Sequence, residues 1–158
     1  MKNLLIFLAL ITAFFGCSGK IVVHEPLKNE LLAYTSKAEV IEKELKILVL
    51  GTYLNPVHSD VIKDSKDEKF IIAVHPKDSE INFKSFSLNN DISGIKTRIL
   101  DENDELLKLI TFQIPWGKYI EVSAPEKFSD RLNLSFEIHP SKQVSLEFQK
   151  VSKSMYWN

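Results

Sequence analysis

The side chains that could carry out chemistry are few in this chain of 158 residues, and their spacing restricts what they can do. Cys17 is the only cysteine, so the chain can form neither an internal disulfide nor a thiolate cluster for a metal. The five glycines form no dinucleotide fingerprint, phosphate loop or nucleophile elbow. We therefore expect a protein that is not an enzyme and that needs no cofactor.

The four histidines raise the possibility of a metal site. His75 and His139 each precede a proline and close a predicted strand, so they could meet at one end of a folded domain. No two histidines have the short spacing that places two ligands on one face, and further zinc ligands cannot be nominated. Proline at a strand end explains both positions. We interpret both histidines as turn residues and predict no metal site.

An acidic run from Asp101 to Glu105 could offer oxygen ligands to calcium. The run lacks the glycine at the sixth loop position and the spaced terminal glutamate of an EF-hand. We therefore predict a solvated hairpin turn at this position.

Two aromatic clusters are candidates for contact with a partner. Trp116 and Tyr119 flank a predicted turn, and Tyr156 and Trp157 lie close to the C-terminus. Accessible aromatic side chains often mark interfaces. The alternative interpretation is that Trp116 caps one end of the core and that the C-terminal pair packs along a sheet edge, because both residue types bury well.

The N-terminus carries a different kind of signal. Lys2 supplies a positive charge, and Leu4–Phe15 is a run of twelve residues whose one polar member is Thr12. A membrane-spanning helix needs about 20 apolar residues. The apolar region of a secretory signal peptide needs only about 7–15. Residues 1–16 are therefore predicted to be a signal peptide.

The sequence Phe14-Phe15-Gly16-Cys17 resembles the lipobox of bacterial lipoproteins. The resemblance implies cleavage just before Cys17, a diacylglyceryl group on its thiol, and in many cases a further acyl chain on the new amino group. Two alternatives stay open. Ordinary signal peptidase could use Gly16 and Ser18 as its small residues, or the segment could be retained as an anchor.

The same resemblance predicts the compartment and the partners. Residues 17–36 would be the lipidated cysteine and a tether to the membrane, with palmitate-type chains as the anchor. By similarity to the sorting rule of enteric bacteria, Ser18 favours the outer membrane, with the body facing the periplasm or exposed at the surface. The mature chain has 19 basic and 21 acidic residues, a net charge of −2, because the signal contains one lysine. Such a balance does not indicate nucleic-acid binding.

The body of the chain has the hydrophobic pattern of β-strands. Apolar and polar residues alternate with period two, most regularly in the last third, which indicates strands with one buried face. Lys46–Leu54 is apolar on both faces, as in a central strand, and Gly51 within it could mark a bulge. Strands are predicted at 37–54, 70–74, 81–88, 95–99, 106–114, 120–124, 132–138 and 144–148.

Strands at this spacing predict an all-β fold for residues 37–158. The expected architecture is an antiparallel two-sheet sandwich of about seven or eight strands, with an immunoglobulin-like arrangement. The disulfide and the paired core tryptophan of antibody domains are absent from the sequence. The alternative is a small antiparallel barrel.

The function expected from these features is that of a membrane-anchored cell-envelope lipoprotein. Its sandwich would be non-catalytic and would contact another envelope protein or serve a structural role. One alternative is a periplasmic binding module for a small apolar or lipid ligand. Another is an uncommon hydrolase, which would need a histidine within hydrogen-bond reach of a serine or a carboxylate.

Overall fold

A computed structural model describes residues 26–42, 45–58 and 66–151 of the chain. These residues contain one α-helix, one 3₁₀ helix and eight β-strands. In chain order the elements are α1 (Pro26–Ala33), β1 (Thr35–Glu42), β2 (Leu45–Tyr53), β3 (Glu68–His75), β4 (Ile81–Leu88), β5 (Lys96–Leu100), the 3₁₀ helix (Glu105–Leu109), β6 (Lys118–Ala124), β7 (Arg131–Ile138) and β8 (Lys142–Gln149). The predicted all-β class is confirmed.

The eight strands form two antiparallel sheets. The larger sheet has the order β1-β2-β3-β6-β5, and the smaller sheet has the order β4-β7-β8. In an immunoglobulin constant-type domain the two sheets have the orders A-B-E-D and C-F-G. The strands β2-β3-β6-β5 and β4-β7-β8 follow these orders, and β1 is an additional strand beside the first. The predicted immunoglobulin-like sandwich is confirmed, and the alternative of a single closed sheet is not observed.

The main core lies between the inner faces of the two sheets. Phe86 of β4 stacks on Phe136 of β7, with ring centroids 4.5 Å apart. Antibody domains place their core tryptophan on the strand that corresponds to β4, so Phe86 supplies the aromatic bulk there. Fully burying such a side chain contributes about 1.5–3 kcal/mol. The largest fully buried side chains are Phe70, Phe86, Phe136, Leu54, Ile71, Ile72, Leu88, Ile120, Leu132, Leu134, Ile138 and Leu146.

Gly51 marks a close approach between the sheets. It pairs regularly with β1 and β3, so the predicted bulge is wrong. A Cβ atom at this position would lie 2.7 Å from Leu146 Cδ1, 2.9 Å from Ile72 Cδ1 and 3.0 Å from Phe148 Cζ. The side chains of β8 therefore fill the space that any larger residue would need.

The outer face of the larger sheet is partly covered by the segment that follows β5. Residues predicted as a strand at 106–114 instead form the 3₁₀ helix and an irregular continuation, so that prediction is wrong. Asp104 caps this helix, because its carboxylate accepts a hydrogen bond from the Leu106 amide at 3.0 Å. Leu107 packs with Ile71 and other side chains on the outer face of the sheet in a second, smaller core.

The helix α1 enters the sandwich at one end, which we call the helix end. The turn after β2, the β4–β5 loop, the β6–β7 loop and the end of β8 lie at the same end. Leu31 and Tyr34 are buried, and the ring of Tyr34 lies 6.4 Å from that of Tyr53. The helix α1 and the first two residues of β1 lie within residues 17–36. Folded structure therefore begins within the predicted tether, before residue 37.

No helix in the described part of the chain has the length and the apolar composition that crossing a bilayer requires.

Candidate functional site

A buried carboxylate lies at the helix end of the sandwich. Glu68, the first residue of β3, is 2% exposed, because it shares the inward-facing parity of Phe70. Its Oε2 accepts a hydrogen bond from the Tyr53 hydroxyl at 2.6 Å. Its Oε1 lies 2.5 Å from Lys150 Nζ and accepts a hydrogen bond from the Lys127 amide at 3.1 Å. We call Tyr53, Glu68, Lys127 and Lys150 the Glu68 cluster.

The Glu68 cluster joins β2, β3, the β6–β7 loop and the residue that follows β8. Lys150 Nζ also donates a hydrogen bond to the carbonyl oxygen of Lys127. Burial, assisted by the hydrogen bond to Glu68, raises the pKa of Tyr53 well above its ordinary value. The phenol is therefore protonated at neutral pH, and both carboxylate oxygens are occupied by donors. This arrangement braces the loops.

A second ion pair joins the two loops of the helix end. Lys127 Nζ lies 2.6 Å from Asp91 Oδ2. This hydrogen bond, together with one from the Ser93 amide, holds the pKa of Asp91 well below its usual range. Gly94 has a φ of +70°, and a Cβ atom there would lie 2.8 Å from Pro125 Cγ. The β4–β5 and β6–β7 loops are therefore in direct contact.

Large apolar side chains project from these braced loops. Phe128 is 100% exposed and Ile92 is 67% exposed. Val151, just beyond β8, is 73% exposed. Each of the three directly follows one of the charged residues that form the ion pairs at this end. Neighbouring exposed apolar side chains of this kind are typical of surfaces that contact a partner or a membrane.

Trp116 lies at the opposite end of the sandwich, in the turn before β6. It has a φ of +56° and is 82% exposed, so its ring is presented to solvent. Tyr119 is buried instead, and burial raises the pKa of its phenol. Its hydroxyl accepts a hydrogen bond from the Ile114 amide at 2.6 Å and donates one to the Ile114 carbonyl at 3.1 Å. Trp116 is therefore available to a partner, whereas Tyr119 fixes the loop that carries it.

Three of the predicted site residues lie outside the described residues. These are the lipidation site Cys17 and the C-terminal aromatic pair Tyr156 and Trp157. Lipidation at Cys17 and partner contact through the C-terminal pair stay predictions.

A groove of about 290 Å³ lies on the outer face of the larger sheet. Arg98 there donates to Glu121 at 2.8 Å and to Asp104 at 2.6 Å, and the contact with Arg98 lowers the pKa of Asp104. The Ser123 hydroxyl donates to Asp67 Oδ2 at 2.9 Å. Because these polar and charged groups pair with one another, the groove carries charges of both signs rather than of one sign.

The histidines that close β3 and follow β7 lie at the end opposite α1. His75 ends β3, as predicted, and its Nδ1 atom is buried with no hydrogen-bond partner among the residues that the structure describes. The amide of His139 donates to the Glu80 carbonyl at 2.9 Å, and its side chain lines a polar groove of about 330 Å³. Within 26–42, 45–58 and 66–151, no three His, Cys, Asp or Glu side chains are grouped as metal ligands.

The acidic run after β5 forms the predicted turn. Asp101 Oδ1 accepts a hydrogen bond from the Asn103 amide at 2.8 Å, and Asp104 caps the 3₁₀ helix that follows. The turn leads into this helix rather than into the second strand of a hairpin. The carboxylates therefore stabilise local structure.

The sequence patterns pointed to neither the Glu68 cluster nor the exposed loop residues. Glu68 lies outside the strand predicted at 70–74, although it stands two residues before Phe70 and so shares its inward parity. Phe128 lies between predicted strands, in a stretch without alternation. An aromatic residue among polar neighbours in a loop was the signal that could have identified it.

Comparison with protein-family models, with curated proteins and with solved structures gives no match. The class that the fold defines is an all-β, immunoglobulin-like sandwich. Because sandwiches host many unrelated activities, the function has to be argued from the residues themselves.

Proposed function

We propose that this chain is a bacterial cell-envelope lipoprotein whose non-catalytic sandwich is held at a membrane by acyl chains on Cys17. The observation that carries the proposal is the apolar run Leu4–Phe15 followed directly by Gly16 and the sole cysteine. Each buried methylene of an acyl chain contributes about 0.8 kcal/mol, so two or three chains make attachment stable where one would be marginal. The outer membrane is the favoured location.

The non-catalytic role is supported by the way in which the ionisable groups are used. Both oxygens of Glu68 are occupied by donors, and Arg98 is engaged by two carboxylates. A general base must lie within hydrogen-bond reach of a substrate proton, and Glu68 is only 2% exposed. These groups are committed to contacts within the fold, which is the arrangement expected of a structural or binding domain.

Contact with another envelope protein is proposed to involve Trp116. Its ring is exposed at the end opposite α1, and the hydrogen bonds of Tyr119 fix the loop behind it. A strand of eight residues is about 25 Å long, so this aromatic side chain lies well away from the helix end. Tryptophan is among the residues most enriched at the energetic centres of interfaces.

Metabolic labelling with palmitate tests the anchor. The wild-type chain is expected to incorporate label and to sediment with membranes, whereas Cys17→Ser loses the label. Serine preserves the size of the side chain but cannot form the thioether. Equal labelling of the two chains would contradict the proposal.

A photo-crosslinking amino acid at position 116 tests the partner surface in intact cells. We expect a discrete crosslinked protein from this position. The same amino acid at Ile41, which is 68% exposed on β1, serves as the matched control. If both positions give the same products, or neither gives any, Trp116 is not an interaction residue.

A further inference from the structure

The helix end of the sandwich concentrates exposed apolar side chains on loops that are held in place. Phe128 and Ile92 project from two loops that are joined by the ion pair between Lys127 and Asp91 at 2.6 Å. The β6–β7 loop is further tied to the buried carboxylate of Glu68 through the Lys127 amide. The apolar side chains are thus presented by a braced surface, so little conformational freedom is lost when they make contact.

The position of this surface relative to the proposed anchor indicates what it contacts. Cys17 precedes Pro26, the first residue of α1, by nine residues. Nine residues span at most about 30 Å even when fully extended. Because α1 enters the sandwich at the helix end, an acylated Cys17 joins the folded domain from this end rather than from the Trp116 end.

The chemistry of the surface favours insertion into the apolar part of the membrane interface over binding to charged headgroups. The two lysines of the Glu68 cluster are committed to ion pairs: Lys127 contacts Asp91 and Lys150 contacts Glu68. They are therefore poor candidates for binding anionic headgroups. An aromatic side chain and an aliphatic side chain at the level of the headgroups bury apolar area without requiring lipid charge.

We propose that Phe128 and Ile92 insert into the interfacial region of the bilayer that holds the lipid anchor, so that the sandwich stands on its helix end. This inference rests on the proposed lipidation of Cys17. The anchor and the two loops together then fix the orientation of the domain, and they direct Trp116 away from the membrane.

Single cysteines report the orientation, because an acylated Cys17 leaves no other thiol in the chain. The variants are Phe128→Cys and Ile92→Cys, with Trp116→Cys and Ile41→Cys as controls at exposed sites elsewhere. Each lipoprotein is purified from membranes in detergent, labelled with a thiol-reactive fluorophore and reconstituted into phosphatidylcholine vesicles. Quenching by lipids that carry a nitroxide on the acyl chain is then measured.

We expect several-fold stronger quenching at positions 128 and 92 than at 116 and 41, unchanged by added salt or by anionic lipid. Equal quenching at all four positions, from an acylated protein, would overturn the orientation alone. A probe at 128 that is unquenched in vesicles but shielded from labelling in intact envelopes would assign the surface to a protein, which also overturns the proposal.

Palmitate incorporation and thiol labelling of the wild-type chain together separate failure of the anchor from failure of the orientation, because a chain that has lost Cys17 incorporates no palmitate. If Cys17 is acylated, the wild type does not take up the thiol reagent. If the wild-type chain is labelled at Cys17, the anchor is wrong, and the inference that depends on it is wrong as well.

Discussion

Replacement of Glu68 by glutamine removes one charge from the helix end while the size of the side chain is kept. In the wild type, this carboxylate is 2% exposed and receives the Tyr53 hydroxyl at 2.6 Å, Lys150 Nζ at 2.5 Å and the Lys127 amide at 3.1 Å. An amide has a single acceptor oxygen, so it cannot satisfy all three donors. Its NH₂ group takes the place of one acceptor oxygen, so it faces either the ammonium of Lys150 or the Tyr53 hydroxyl.

The expected decrease in the free energy of unfolding depends on how deeply each partner of Glu68 is buried. Breaking a fully buried ion pair costs about 3–5 kcal/mol. The Lys150 side chain is 22% exposed and can turn toward water, so its share of the loss is smaller. A buried donor that loses its partner costs about 1–3 kcal/mol. We therefore expect Glu68→Gln to lower the free energy of unfolding by about 1–3 kcal/mol.

Urea denaturation measures this change. With a slope of about 2 kcal/mol per molar urea, the midpoint should fall by about 1 M. Glu137→Gln is the matched control, because that glutamate is exposed on β7 and should change stability by less than about 0.5 kcal/mol. If Glu68→Gln shifts the midpoint no more than the control does, the carboxylate does not brace the helix end.

Three further changes test other contacts. Gly51→Ala places a methyl group 2.7 Å from Leu146 Cδ1 and should destabilise the fold by about 1–3 kcal/mol in urea denaturation, whereas a neutral result would contradict the close approach of the sheets. Tyr119→Phe leaves the Ile114 amide without its acceptor, so hydrogen exchange at Ile114 should accelerate, and unchanged exchange would show that the loop is held otherwise. Because the pKa of Asp91 is lowered in the folded state, its ion pair stabilises the fold at pH values above the unfolded pKa of about 3.9. This stabilisation is lost as the pH falls toward the pKa of Asp91 in the folded state. Asp91→Asn should therefore flatten the decline of stability between about pH 5 and pH 2, and an unchanged slope would argue against the pair.

The strands of the last third were predictable because one face of each carries polar residues. In β6, β7 and β8 the polar residues alternate with apolar ones, and a period of two fits no other regular element. The order of the strands in the sheets depends on long-range pairing, so only the class of sandwich could be inferred from the spacing.

The segment after β5 shows where local pattern fails. The apolar residues at 106, 110, 112 and 114 share one parity, as a strand would require. The segment instead lies across the outer face of the larger sheet, where Leu107, which has the other parity, is buried. The sequence of β6 likewise does not reveal what covers Tyr119, which was predicted as a candidate for contact with a partner and is buried.

The surface at the helix end depends on contacts that are distant in the chain. Glu68 meets Lys127 and Lys150 only when the sandwich is assembled, since more than 50 residues separate it from either lysine. Lipidation at Cys17, by contrast, is proposed from its immediate neighbours alone. The proposed anchor therefore rests on the sequence, whereas the proposed orientation of the domain is argued from the structure.

The most direct test of this account is mass spectrometry of the N-terminal peptide of the protein purified from membranes. The predicted result is a peptide that begins at Cys17 and carries the mass of a diacylglyceryl group on sulfur. An unmodified peptide that begins at Ser18 or later, or one that still begins at Met1, would contradict the proposal that this sandwich is a lipid-anchored protein.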